Sequence, residues 1–187
     1  KRTVAWSGLD TLSHALESYV SVMASDFTRP WSLQAIKLVF ENLEKSYNYD
    51  PKNPTLEGET ARENMHYAAT LGGMAFANAF LGINHSLAHK TGGEFGLPHG
   101  IAISIAMQHV IRFNGASGKV KRTPFPRYEV YRAQKDYADI ARALGLKGRT
   151  DADLVEALCN KIEELMKAVD VTPKLSANGV TKEAFDG

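Results

Sequence analysis

The sequence predicts an all-α protein. Three observations carry this: apolar residues recur at helical spacing in successive segments, one further segment is apolar nearly all round, and no stretch alternates apolar and polar residues as a half-buried strand would. Internal repeats and low-complexity tracts are absent from the sequence.

The first helix is expected over 9–23, where Leu9, Leu12, Leu16, Tyr19, Val20 and Met23 fall on one stripe at about 100° per residue. Asp10 and His14 lie on its other face. A second helix begins near Pro30, whose fixed φ suits a first turn, and runs to about Tyr47. Residues 48–54 then read as a loop. From 59 to 85 the chain is rich in Ala, Gly and Met, with small residues on every side between Ala68 and Ala79, so a long helix packed on several faces is expected, bent at Gly72-Gly73. Thr91-Gly92-Gly93-Glu94-Phe95-Gly96-Leu97-Pro98 reads as a glycine-rich turn, and 101–111 as the core helix. Residues 115–127, with Gly115, Gly118, Pro124, Pro126 and several basic residues, read as an exposed connector. Two more amphipathic helices follow. Val130, Ala133, Tyr137, Ile140, Ala141 and Leu144 mark one, and Leu154, Leu158, Ile162, Leu165 and Val169 mark the other, behind the capping-box-like start Thr150-Asp151-Ala152-Asp153.

Composition narrows the function. At 187 residues and 44% apolar content the chain can bury one ordinary core. A net charge of +1 leaves no basic surplus for a phosphate backbone, which argues against nucleic acid as a partner. No apolar run approaches the roughly 20 residues that span a bilayer, and the opening residues lack a signal peptide's apolar stretch, so a cytoplasmic setting is expected. The chain starts without Met and stops just after the helix-start signal Thr181-Lys182-Glu183-Ala184, so it reads as a piece of a longer protein. The lone Cys159 excludes a multi-cysteine zinc site, leaving His and carboxylate as metal ligands.

Two clusters offer such ligands. Asp10 and His14, four apart on a helix, stand one above the other. His85-Ser86-Leu87-Ala88-His89 repeats that spacing, and the glycines after it can bring His99 back toward His85. One carboxylate with three imidazoles suits Fe²⁺ or Zn²⁺ and is too nitrogen-rich for Mg²⁺ or Ca²⁺. Spacing alone leaves two readings open: a metal site, or buried and capping histidines satisfied by backbone carbonyls. His66, His109 and Cys159 read as structural.

Gly8-Leu9-Asp10-Thr11-Leu12-Ser13-His14-Ala15-Leu16-Glu17-Ser18-Tyr19-Val20-Ser21 resembles the D-x-x-x-H-A-x-E-x-Y segment of the iron-containing (group III) alcohol dehydrogenases. Gly72-Gly73-Met74-Ala75-Phe76-Ala77-Asn78, His85-Ser86-Leu87-Ala88-His89 and Pro98-His99-Gly100-Ile101-Ala102 resemble that family's longer signature, with order and spacing agreeing over about 8–114. The long connector through 121–132 is similar to the alcohol dehydrogenase part of bifunctional aldehyde-alcohol dehydrogenases.

The resemblance implies the helical iron-binding domain of a dehydroquinate synthase-like fold across 1–187. It implies Asp10, His14, His85 and His99 as ligands of Fe²⁺, with Zn²⁺ as the alternative, His89 as the proton-relay residue, and Phe76 in the substrate pocket. It further implies reduction of a small aldehyde such as acetaldehyde to its primary alcohol, and homo-oligomers that are dimers or filaments in the full-length protein. NAD(H) would be bound mainly by an N-terminal α/β domain, and this sequence contains no strand followed by G-x-G-x-x-G. These residues alone are therefore expected to bind metal but turn over little alcohol. Two other classes use similar residues. A helical metal-dependent phosphohydrolase needs an adjacent His-Asp pair, which is missing here, whereas a helical assembly module without a surviving active site stays open.

Overall fold

The computed structural model describes residues 1–116 and 130–186. Among them every regular element is helical: α1 (Arg2–Val20), α2 (Thr28–Asn48), α3 (Leu56–Ala79), α4 (Ile83–Phe95), α5 (His99–Gly115), α6 (Ala133–Ala143), α7 (Asp151–Ala168), a short 3-10 turn (Ser176–Asn178) and α8 (Lys182–Asp186). The all-α expectation holds. Most of the connector expected at 115–127 lies outside the described residues.

Helix α1 is the axis of the molecule, packing against α2, α3, α4, α5 and α6. The first half of its expected stripe is innermost in the core, with Leu9, Leu12 and Leu16 fully buried, each contributing about 2 kcal/mol by leaving water, whereas Tyr19 and Val20 are half-buried and Met23 lies beyond the helix, which ends at Val20. The opposite face is interior as well: Thr11, Ser13, Glu17 and Ser18 are buried, and Asp10 and His14 are half-buried. That crowding explains why α1 starts at Arg2 rather than Leu9. Ala5 and Gly8, which offer no stripe to a pattern search, pack inward, and a Cβ on Gly8 would strike Leu43 of α2.

Two expectations about the middle of the chain are corrected. The helix expected over 59–85 is two helices, broken at residues 80–82, with Phe80 at φ 62° and ψ −179°. Side chains from the last turns of α1 and the residue after it make the break: Ser21 Oγ donates to the Ala79 carbonyl (2.5 Å), and Glu17 accepts the backbone N–H groups of Gly82 and Asn84 (3.0 and 2.9 Å). One helix end is thus capped at a carbonyl and the next at its amides, both from the C-terminal end of α1. Nor does α3 pack on several faces. It buries one stripe, Gly58, Ala61, Ala68, Gly72, Ala75 and Ala79, and helical structure runs through Gly72-Gly73.

The glycine-rich turn expected over 91–98 is also mostly helix, because α4 continues through Gly92 and Gly93 to Phe95. Glycine inside a helix costs only about 1 kcal/mol, which packing overrides. Gly96 alone makes the turn: its left-handed φ of 63° ends α4, and Leu97 N–H closes back on the Gly92 carbonyl (3.2 Å). Pro98 then starts α5. Helix α7 begins where expected, with a full capping box between Thr150 and Asp153.

Candidate metal centre

Three helices deliver the candidate residues to one place. Helix α1 supplies Asp10 and His14, α4 supplies His85 and His89 from successive turns, and α5 supplies His99 as its first residue. Oδ1 of Asp10 lies 3.4 Å from Nε2 of His85, 3.4 Å from Nε2 of His99 and 3.8 Å from Nε2 of His14. Ligand atoms of Asp10, His85 and His99 all fall within 4.8 Å of one another. His14 stands slightly apart, its ring stacked on that of His85 (centroids 4.6 Å) and on Phe76 of α3 (4.4 Å). The His89 ring is 5.4 Å from that of His99 and 6.3 Å from that of His85, and it is exposed. The cluster is closed on the His85 side, where 5% of that side chain is accessible, and open on the His99 side, where 43% is.

Hydrogen bonding tests whether these groups fit a cation. Oδ1 of Asp10 and Nε2 of His85 are buried and have no hydrogen-bond partner, although an orphaned buried polar atom costs about 1–3 kcal/mol. Two such atoms on different helices converge with a third donor from His99. One oxygen and several imidazole nitrogens form a set suited to Fe²⁺ or Zn²⁺, so the residues fit a divalent transition metal.

The electrostatics agree. Burial pushes the Asp10 carboxyl up, but the neighbouring His85, His14 and His99 hold it below the ordinary carboxylate value. Burial lowers His14, favouring the neutral ring with its free lone pair. For His85 burial also acts downward, yet Asp10 and Glu17 outweigh it and raise the ring to about 9. The two carboxylates of α1 therefore favour positive charge on the His85 ring.

Glu17, the glutamate of the D-x-x-x-H-A-x-E-x-Y segment, is a site residue to which the sequence assigned no role. It is buried, and its Oε2 makes a very short contact with Nδ1 of His85. Lying seven residues after Asp10 and three after His14, it shares their helical face, which was the available signal. His66 and His109 are exposed and away from this cluster, and Cys159 is buried in the core, as the sequence indicated.

The chain is similar to known proteins over nearly all of its length. The profile of the Fe-containing alcohol dehydrogenase family, C-terminal, matches residues 4–187. Aldehyde-alcohol dehydrogenase 2 of Entamoeba histolytica is 51% identical over 185 residues, which are 99% of this chain and 20% of that protein. The NADPH-dependent butanol dehydrogenase of Clostridium saccharobutylicum is 41% identical over 184 residues, 98% of this chain and 42% of that protein. Among solved structures, a 1,3-propanediol oxidoreductase superposes with a TM-score of 0.78 at 32% identity, covering 97% of this chain and 42% of its own. An iron-containing alcohol dehydrogenase from Thermococcus thioreducens does so with a TM-score of 0.76 at 34% identity, covering 98% and 40%. The chain spans from about a fifth to about two fifths of these proteins' length. By this match, and by a helical fold that superposes on those structures over nearly the whole of this chain, the chain belongs to the Fe-containing alcohol dehydrogenase family and matches its C-terminal part.

Proposed function

We propose that residues 1–187 are the helical metal-binding domain of an NAD-dependent alcohol dehydrogenase that interconverts a short-chain aldehyde, acetaldehyde, and its primary alcohol, ethanol. One observation carries the reading: the unpartnered, buried Oδ1 of Asp10 and Nε2 of His85 converge with His99 at the open edge of the helices. Asp10, His14, His85 and His99 would hold Fe²⁺ or Zn²⁺. A divalent cation there supplies Lewis-acid stabilisation of the negative charge that develops on the substrate oxygen.

The chain's own side chains do the rest. Phe76, stacked on His14, forms an apolar wall that excludes water beside the ligands and orients a short alkyl chain. His89, exposed and one helical turn beyond His85, is placed to pass a proton between the substrate oxygen and solvent. The nicotinamide that exchanges hydride with the substrate carbon would be held mainly by an N-terminal α/β domain outside these residues, so the 187 residues alone bind metal with little turnover.

The test is acetaldehyde reduction by NADH in the enzyme that contains this chain, loaded with Fe²⁺ or Zn²⁺. Asp10→Ala should abolish measurable turnover. His89→Gln should lower kcat by roughly 10²- to 10⁴-fold, as expected when a proton-transfer group is removed. Parent-level activity in Asp10→Ala would contradict the reading.

A further inference from the structure

We propose that Glu17 is a positioning residue that holds His85 in the tautomer whose lone pair lies on Nε2, the nitrogen facing Asp10, and so sets the metal affinity of the site. The proposal rests on the metal-site reading above.

Glu17 comes from α1, and both its oxygens are engaged. Oε1 accepts the backbone N–H groups of Gly82 (3.0 Å) and Asn84 (2.9 Å) at the start of α4. Oε2 accepts from Ser13 Oγ (3.4 Å) and meets Nδ1 of His85. Ser13 is itself held by the Asn84 amide, whose Nδ2 donates to it (2.8 Å). An ionised carboxylate has no proton to give, so a hydrogen bond between Oε2 and His85 requires the proton on Nδ1. The neutral ring then presents its lone pair at Nε2, the buried, unpartnered atom 3.4 Å from Asp10 Oδ1. A carboxylate behind a histidine in this way fixes the ring's rotation, selects its tautomer and raises its basicity toward a metal.

The two backbone donors on Oε1 make this arrangement directional. In Glu17→Gln the amide oxygen must stay where Gly82 and Asn84 donate, because the flipped amide would set its NH₂ group against both N–H groups. The NH₂ then faces Nδ1 of His85 and needs its lone pair, which moves the ring proton to Nε2. A substitution that preserves shape and the cap on α4 thus turns the metal-facing nitrogen from acceptor into donor. A purely structural role for Glu17, in filling space or capping α4, would survive the same change.

The experiment is Zn²⁺ titration of the parent chain and Glu17→Gln against a competing chelator, with helical circular dichroism and the thermal midpoint measured on both. The expected result is a roughly 10- to 100-fold loss of Zn²⁺ affinity at unchanged helix content, the range typical of such outer partners. In the long-range ¹H–¹⁵N spectrum of the Zn²⁺-loaded parent, His85 should show a protonated Nδ1 and a metal-bound Nε2. Equal affinity in parent and variant would overturn the proposal and leave the metal site standing. A His85 whose Nδ1 lacks the proton would overturn it on the parent alone, whether or not the variant folds. A parent that binds no Zn²⁺ would overturn the metal-site reading, and the proposal with it.

Discussion

Gly100 passes so close to Trp6 that a Cβ on it would lie 2.5 Å from the Trp6 carbonyl oxygen and 2.6 Å from the Trp6 Cβ. This contact presses the first turn of α5 onto α1. His99, the residue before Gly100, is thereby delivered to Asp10 one helical turn beyond Trp6. Gly100→Ala should therefore separate the two helices, destabilising the fold by about 1–3 kcal/mol and weakening metal binding together. Urea denaturation and metal content would check this. Parent-like values for both would show that the close approach does not position His99.

Phe80 should be a site of removable strain. Its φ of 62° with ψ of −179° lies in a region essentially reserved for glycine, and its side chain is 61% exposed, so little packing is at stake. Phe80→Gly should stabilise the protein by about 1 kcal/mol, relief of strain being partly offset by the freer unfolded chain. Phe80→Ala keeps the strain and should bring no gain. Equilibrium unfolding of the two variants beside the parent decides the matter, and equal stabilities in all three would refute the strain.

The thiol of Cys159 should be inert in the folded protein at neutral pH. Burial pushes it up from 9.0 to about 11, against the downward pull of Arg112. Because the folded state holds this proton more tightly than the unfolded chain, the associated stability is present below about pH 9 and is lost as pH rises through 11. A thiol reagent at pH 8 should leave native protein unmodified and label it once denaturant is added. Rapid labelling of the native form would contradict the burial.

These relationships differ in how far they could be read from sequence. The start of α7 was legible because its cap is local: Thr150 and Asp153 satisfy each other within one turn. The stripe on α1 and the four-residue spacings of Asp10 with His14 and His85 with His89 were legible for the same reason. The break at residues 80–82 was not, because Gly82 is its sole local signal and a single glycine does not by itself end a helix. Ser21 and Glu17, about sixty residues earlier, impose it. Glu17 was assigned no role since a Glu on a helix is ordinarily a solvated charge, and only the packing of α4 against α1 shows that it is buried behind His85. The glycines at 92 and 93 misled in the opposite sense: they permit a turn, but only the left-handed φ at Gly96 makes one.

The central claim is that Asp10, His14, His85 and His99 hold one metal ion, and anaerobic metal analysis of the purified chain beside His85→Ala tests it most directly. Removing one of four ligands, and the one most deeply buried, should sharply weaken binding. The account predicts close to one Fe or Zn per chain in the parent and almost none in the variant. Equal metal in both, or none in the parent, would contradict it.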